Sequence, residues 1–131
     1  MKASWGKIFL IVFIITILHI FAITFEFYKT KIVWIDNLQH ILAGIAVAMF
    51  SILIKRDNNK KINIAIWIIG FVLIITVFWE IMEFLLWKLL PFYAQKFSLF
   101  SPTILEAFED IISNLIGGLI FTILYTNKIK K

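Results

Sequence analysis

The chain has 131 residues, of which 62% are hydrophobic, and it contains no cysteine. Soluble domains are usually about 45–50% apolar, so this composition indicates a membrane protein. The absence of cysteine excludes disulfides and zinc–thiolate sites. The formal net charge is +5, but the basic residues lie in short runs between apolar segments, where they act as topology signals. We therefore expect no nucleic-acid partner and expect contact with membrane lipids.

Four stretches of the chain are long and apolar enough to cross a membrane, since a bilayer core needs roughly 20 mostly apolar residues per helix. They cover residues 6–28, 32–54, 62–90 and 104–126. The runs are solidly apolar and do not alternate in polarity, which excludes a β-barrel. The sequence therefore predicts an all-α, integral membrane four-helix bundle that forms a single domain over residues 1–131.

The first span could also be taken for a signal peptide, because Lys2 and Lys7 precede its apolar run. The run is long for that role, and small-residue cleavage sites near its end are weak. We therefore expect the segment to be retained as a membrane span.

The basic residues predict the orientation of the bundle. Nine of the 13 lie before the first span, between the second and third, or after the fourth: Lys2, Lys7, Lys55, Arg56, Lys60, Lys61, Lys128, Lys130 and Lys131. The other four, on the opposite side, are Lys29, Lys31, Lys88 and Lys96. Cytoplasmic loops carry the excess of Lys and Arg. Both termini are therefore predicted to be cytoplasmic.

The connection over residues 91–103 is the only sizeable loop on the outer side. Its apolar content predicts that it lies on the membrane surface. The last span is predicted to begin either with Ser101 before Pro102, or with a capping box formed by Thr103 and Glu106.

Three spans each carry two polar side chains spaced three or four residues apart, which a helix places on one face. The pairs are Asp36 and His40, Glu80 and Glu83, and Asp110 and Asn114. At 1.5 Å of rise per residue, the predicted topology puts all six within a slab on the order of 10 Å thick in the outer leaflet. A charge near the bilayer centre costs at least ~2.5–3.5 kcal/mol. We therefore expect the six side chains to meet in one site.

The chemistry of this group favours a cation. Four acids and one histidine, without a Lys or Arg spaced to neutralise them, repel one another unless some are protonated or a cation binds. Carboxylate and imidazole ligands suit Mg, Mn, Zn or Fe. The candidate metal ligands are Asp36, His40, Glu80, Glu83 and Asp110. These five and Asn114, which would orient a ligand or substrate, are the candidate catalytic residues.

His19 in the first span lies at a depth similar to that of His40. It either joins the site or hydrogen-bonds a neighbouring helix, and the sequence leaves both interpretations open.

The order of these motifs resembles that of the VanZ-like small bacterial membrane proteins and of the YjdF-type inner-membrane family. The matching segments are "DNLQHILAG" with Asp36, His40 and Gly44, "WEIME" with Glu80 and Glu83, and "DIISNLIGG" with Asp110, Asn114 and Gly117. The resemblance implies a bacterial cytoplasmic membrane and a role in the cell envelope. The arginine that often precedes the last helix of VanZ-like proteins is absent here, and Ser101 and Pro102 stand in its place.

Three classes of function are open at this point. The first is a site in the outer leaflet that binds or processes a lipid or lipid-linked envelope substrate with a divalent cation. The second is an ion or proton transporter, since intramembrane acids with histidine also form such pathways. The third is a structural or accessory protein whose acids form an interhelical network. Whether the chain is an enzyme, and whether it forms oligomers, is left open with them.

Overall fold

The computed structural model describes residues 3–25, 33–55, 61–96 and 103–128, and the described residues form five α-helices and no strand. The helices are α1 (Trp5–Thr24), α2 (Val33–Ile54), α3 (Lys61–Leu89), the short α4 (Pro91–Lys96) and α5 (Ile104–Lys128). All except α4 are long and apolar enough to cross a membrane. The predicted all-α bundle of four membrane helices is confirmed.

The structure differs from the prediction after the third span, where a loop was expected over residues 91–103. A six-residue helix, α4, follows α3 instead. Pro91 occupies its first position, where the missing N–H costs nothing. The Ala94 N–H donates to the Leu90 carbonyl at 3.0 Å, and the Ala94 side chain is buried.

The start of α5 follows the second of the two predicted alternatives. The Thr103 hydroxyl accepts a hydrogen bond from the Glu106 N–H at 3.2 Å, and the Glu106 carboxylate accepts from the Thr103 N–H at 3.0 Å. This reciprocal pair is a capping box. Ser101 and Pro102 lie outside the described residues, as do seven of the basic residues used to predict orientation: Lys2, Lys29, Lys31, Arg56, Lys60, Lys130 and Lys131. The orientation of the termini remains a prediction.

Helix α2 is the centre of the bundle, because it packs against α1, α3 and α5. The Trp5 ring lies 5.8 Å from the Phe50 ring, so α1 and α2 are antiparallel. The Trp67 indole N–H donates to the Ser51 carbonyl at 3.0 Å, so α3 is antiparallel to α2 as well. We call the end of the bundle with Thr24, Val33, Leu89 and Ile104 the site end, and the other the opposite end.

The apolar core fills the half of the bundle nearer the opposite end. Its fully packed members are Ala48, Met49, Ile64, Ile68, Val72 and Phe121. Two hydroxyls at this level bond to their own helices: the Ser51 hydroxyl donates to the Ala48 carbonyl, and the Thr122 hydroxyl donates to the Gly118 carbonyl.

Helices α2 and α5 run parallel and touch backbone to backbone through two glycines. A Cβ atom on Gly44 would overlap the Asn114 carbonyl, and one on Gly117 would overlap the Ile41 carbonyl. Small residues are enriched at such membrane-helix contacts because they let backbones approach closely. The contact therefore requires glycine on both helices.

Replacing either contact glycine should lower the stability of the bundle. We expect Gly44→Ala and Gly117→Ala each to cost about 1–3 kcal/mol, the usual range for overpacking. Gly70→Ala is the control, because a Cβ there meets nothing within 4 Å and alanine is the better helix former by about 1 kcal/mol. Denaturant unfolding in detergent measures the difference. Equal midpoints for Gly44→Ala, Gly117→Ala and Gly70→Ala would contradict the contact.

Candidate functional site

A cavity of about 450 Å³ lies at the site end of the bundle, among α1, α2, α3 and α5. All six polar residues singled out in the sequence line it: Asp36, His40, Glu80, Glu83, Asp110 and Asn114. Ligand pockets in proteins typically have volumes of about 300–1,000 Å³. The six polar side chains thus surround a space large enough to hold a ligand.

His40 lies at the centre of the polar contacts in the cavity. Its Nδ1 atom is 2.9 Å from Asn114 Nδ2, and its Nε2 atom is 3.3 Å from Asp110 Oδ1 and 3.9 Å from Asp36 Oδ1. Asp36, His40 and Asp110 each offer one ligand atom, and these three atoms all lie within 4.8 Å of one another. We call these three residues the Asp–His–Asp group.

The glycine contact explains why residues so far apart in the chain meet here. Gly44 lies one turn after His40 on α2, and it touches the backbone of Asn114 on α5. Asn114 in turn lies one turn after Asp110, whose carbonyl accepts a hydrogen bond from the Asn114 amide at 2.9 Å. Residues four apart share a helix face. One backbone contact therefore places His40 beside both Asn114 and Asp110.

The Asn114 amide also sets the tautomer of His40. Its Nδ2 atom donates one hydrogen to the Asp110 carbonyl and faces His40 Nδ1 with the other. A neutral imidazole carries one proton, so Nδ1 accepts and Nε2 carries the proton towards the Asp110 carboxyl. The side chains of Asn114, His40 and Asp110 thus form one connected chain of hydrogen-bonding groups.

The two glutamates occupy a different wall of the cavity, on α3. Glu80 is 8% exposed, and its Oε1 atom has no hydrogen-bond partner among the described residues. Glu83 is half-buried and takes a hydrogen bond from the Trp79 side chain. Of the five candidate metal ligands, the structure thus brings Asp36, His40 and Asp110 into one group and leaves the glutamates outside it.

The cavity wall holds further polar side chains beyond the six candidates. His19, left open above, lines the cavity, and Glu106 lines it as well as capping α5. Gln39 and Thr76 are buried lining residues. Thr76 lies four residues before Glu80, and that spacing was a readable signal that they share a face. Gln39 carried no comparable signal.

The tautomer assignment can be measured directly, because the chain has only two histidines. We expect ¹⁵N chemical shifts of His40 in metal-free protein to show the proton on Nε2. Asn114→Asp should move it to Nδ1, because a carboxylate only accepts hydrogen bonds. A His19→Gln variant assigns the two signals. A proton on Nδ1 in the wild type, or no change in Asn114→Asp, would contradict the contact with the Asn114 amide.

Comparisons with known proteins give a family for the chain. A family model described as "Predicted membrane protein (DUF2238)" matches residues 4–131. No curated protein and no solved structure matches the chain significantly. Since the match covers nearly the whole chain, the chain belongs to the DUF2238 family of predicted membrane proteins.

Proposed function

We propose that the cavity holds a divalent cation on Asp36, His40 and Asp110 and uses it to bind or process a lipid or lipid-linked envelope substrate. The observation that carries this proposal is the Asp–His–Asp group, whose ligand atoms lie within 4.8 Å of one another in a cavity far larger than an ion. A cation would also relieve the repulsion among the carboxylates that share this space.

The ligand atoms suit several hard or borderline ions. Two carboxylate oxygens and one imidazole nitrogen fit Mg, Mn, Zn or Fe, and the absence of thiolates disfavours softer ions. Three protein ligands are typical of catalytic sites, because they leave coordination positions for water or substrate. When bound, such an ion polarises a phosphoryl oxygen or lowers the pKa of a water ligand.

Metal binding by His40 requires the side-chain amide of Asn114 to reorient. Ligation through Nε2 moves the imidazole proton to Nδ1, and metal-bound histidines usually donate that second N–H to an oxygen. Asn114 can supply this oxygen if its amide turns so that Oδ1 faces His40. The turn gives up the hydrogen bond to the Asp110 carbonyl, a net cost of about 0.5–1.5 kcal/mol. Asn114 is thus the residue that would orient the histidine ligand.

The glutamates on α3 would exchange protons with a substrate or water molecule bound in the cavity beside the ion. Glu80 presents an oxygen that has no hydrogen-bond partner among the described residues, and Glu83 lies one turn further along the same helix. Carboxylates in such positions can accept or return a proton in general acid–base catalysis. We propose this role for the pair, with direct metal ligation by either glutamate as the other arrangement.

The resemblance of the three motifs to VanZ-like and YjdF-type proteins supports a cell-envelope setting. We accordingly propose a bacterial cytoplasmic membrane as the location of the chain. The distribution of the basic residues supports an orientation with both termini in the cytoplasm. The cavity then lies in the outer leaflet, where lipid-linked envelope precursors and lipid headgroups meet the membrane surface.

Two observations count against the other classes of function. A transporter needs a polar path through the bundle, and the apolar core around Met49 and Phe121 lies between the cavity and the opposite end. A purely structural network is normally satisfied, since buried polar groups are almost always hydrogen-bonded. Glu80 Oε1 lacks such a partner within the described residues, and the cavity beside it has room for a ligand.

Metal analysis tests this proposal. We expect detergent-purified protein to contain a stoichiometric divalent ion by elemental mass spectrometry. The Asp110→Asn variant should lose this ion, because a neutral amide replaces the carboxylate ligand. Glu109→Gln is the matched control, since Glu109 is exposed on the same helix and does not line the cavity. Folding of each variant is checked by helical circular dichroism. Equal metal content in all three folded proteins, or none in the wild type after metal addition, would contradict the proposal.

A further inference from the structure

Helix α1 forms one wall of the cavity. Ile15, Thr16 and His19 of α1 line it, opposite residues of α3 and α5. Within the described residues, however, no Cα atom of α1 comes within 8 Å of one in α3 or α5, whereas α1 approaches α2 closely. We call the interval between α1 and the packed pair of α3 and α5 the α1 gap. The α1 backbone is thus further from α3 and α5 than from α2.

The α1 gap faces the hydrocarbon part of a bilayer. On its α3 edge lie Ile75 and Trp79, which are 38% and 52% exposed although they belong to a membrane-spanning helix. They lie 14 and 10 residues before Leu89, or roughly 15–21 Å along the helix. That distance puts the edge well inside a hydrocarbon core about 30 Å thick. A molecule using this gap therefore comes from the membrane.

The cavity is too large for a hydrated ion alone. A water molecule accounts for about 30 Å³, so an ion with a few waters would leave most of the roughly 450 Å³ unfilled. The volume lies in the range of sites for organic ligands. The cavity therefore has room for a molecule of headgroup size beside an ion.

The charges on the wall indicate what that molecule carries. Five carboxylates line the cavity, those of Asp36, Glu80, Glu83, Glu106 and Asp110, and no Lys or Arg of the described chain lines it. A divalent ion balances only part of this charge. A protonated primary amine has three donors and a compact positive charge. It can satisfy the Glu80 oxygen that has no partner among the described residues.

We propose that the cavity takes, through the α1 gap, the headgroup of a lipid that bears both a phosphate and a protonated primary amine. The amine lies towards Glu80 and Glu83, and the phosphate lies towards the Asp–His–Asp group. The acyl chains stay in the bilayer beside Ile75 and Trp79. The phosphate contact rests on the proposed metal function, whereas the amine contact does not.

Native mass spectrometry with three lipids of identical dioleoyl chains tests the headgroup. Phosphatidylethanolamine carries the primary amine, phosphatidylcholine carries a cation without N–H donors, and phosphatidylglycerol carries no cation. In chelator, we expect phosphatidylethanolamine to bind about tenfold more tightly than either of the others. Glu83→Gln and Glu80→Gln should remove this preference, and Glu109→Gln should keep it. Because Glu83 is only half-buried, Glu83→Gln disturbs packing less, and it tests the amine contact if Glu80→Gln fails to fold.

A second pair of variants tests the route. Ile75→Trp narrows the α1 gap and should weaken phosphatidylethanolamine binding about tenfold. Ile74→Trp places the same ring one residue away, at a 68% exposed position that does not line the cavity, and should leave binding unchanged. Equal weakening by both variants would overturn lateral entry.

The outcomes separate this inference from the metal proposal. Equal binding of the three lipids in chelator would overturn the amine contact, while a stoichiometric metal could still be present. A preference for phosphatidylethanolamine in a protein that holds no metal would uphold the amine contact and refute the proposed metal function. A dimer that Ile75→Trp dissociates, with no lipid preference in the monomer, would overturn the inference and assign the gap to a second copy of the chain.

Discussion

The site depends on the contact between the backbones of α2 and α5. Gly44 and Gly117 let the two helices approach until a Cβ atom on either would strike the other helix. His40 lies one turn from the first glycine, and Asn114 is the residue that this glycine touches. Their side chains therefore meet at 2.9 Å, and Asp110, one turn further, comes within 3.3 Å of the same imidazole. Wider spacing of the helices would separate the Asp–His–Asp group.

The bundle divides into two halves with different physical roles. One half is packed by aliphatic and aromatic side chains around Met49, Ile68 and Phe121, and its hydroxyls bond to their own helices. The other half keeps a cavity lined by carboxylates and imidazoles. Buried acids are a poor way to stabilise membrane helices, whose interhelical polar contacts average about 0.6 kcal/mol. The packed half provides the stability, and the polar half is available for binding.

Hydropathy and helical rise account for what the sequence predicted well. The second span was predicted over 32–54 and is found as Val33–Ile54, because a long apolar run in a bilayer has no alternative to helix. The common depth of the six polar side chains followed from counting residues along each predicted span. The rotation of each helix about its own axis cannot be obtained by counting residues. Sequence spacing did not show that Glu80 would lie apart from the Asp–His–Asp group, or that α1 would lie closer to α2 than to α3 and α5. Both depend on how the helices cross.

The central claim is that this crossing builds a cation site, and locating the ion tests it most directly. Crystals of the protein grown with Mn²⁺ would be measured at the manganese absorption edge. The account predicts an anomalous-scattering peak within ligand distance, about 2.0–2.4 Å, of oxygens of Asp36 and Asp110 and of His40 Nε2. A peak elsewhere, or a well-ordered Asp–His–Asp group with no peak at saturating Mn²⁺, would contradict it.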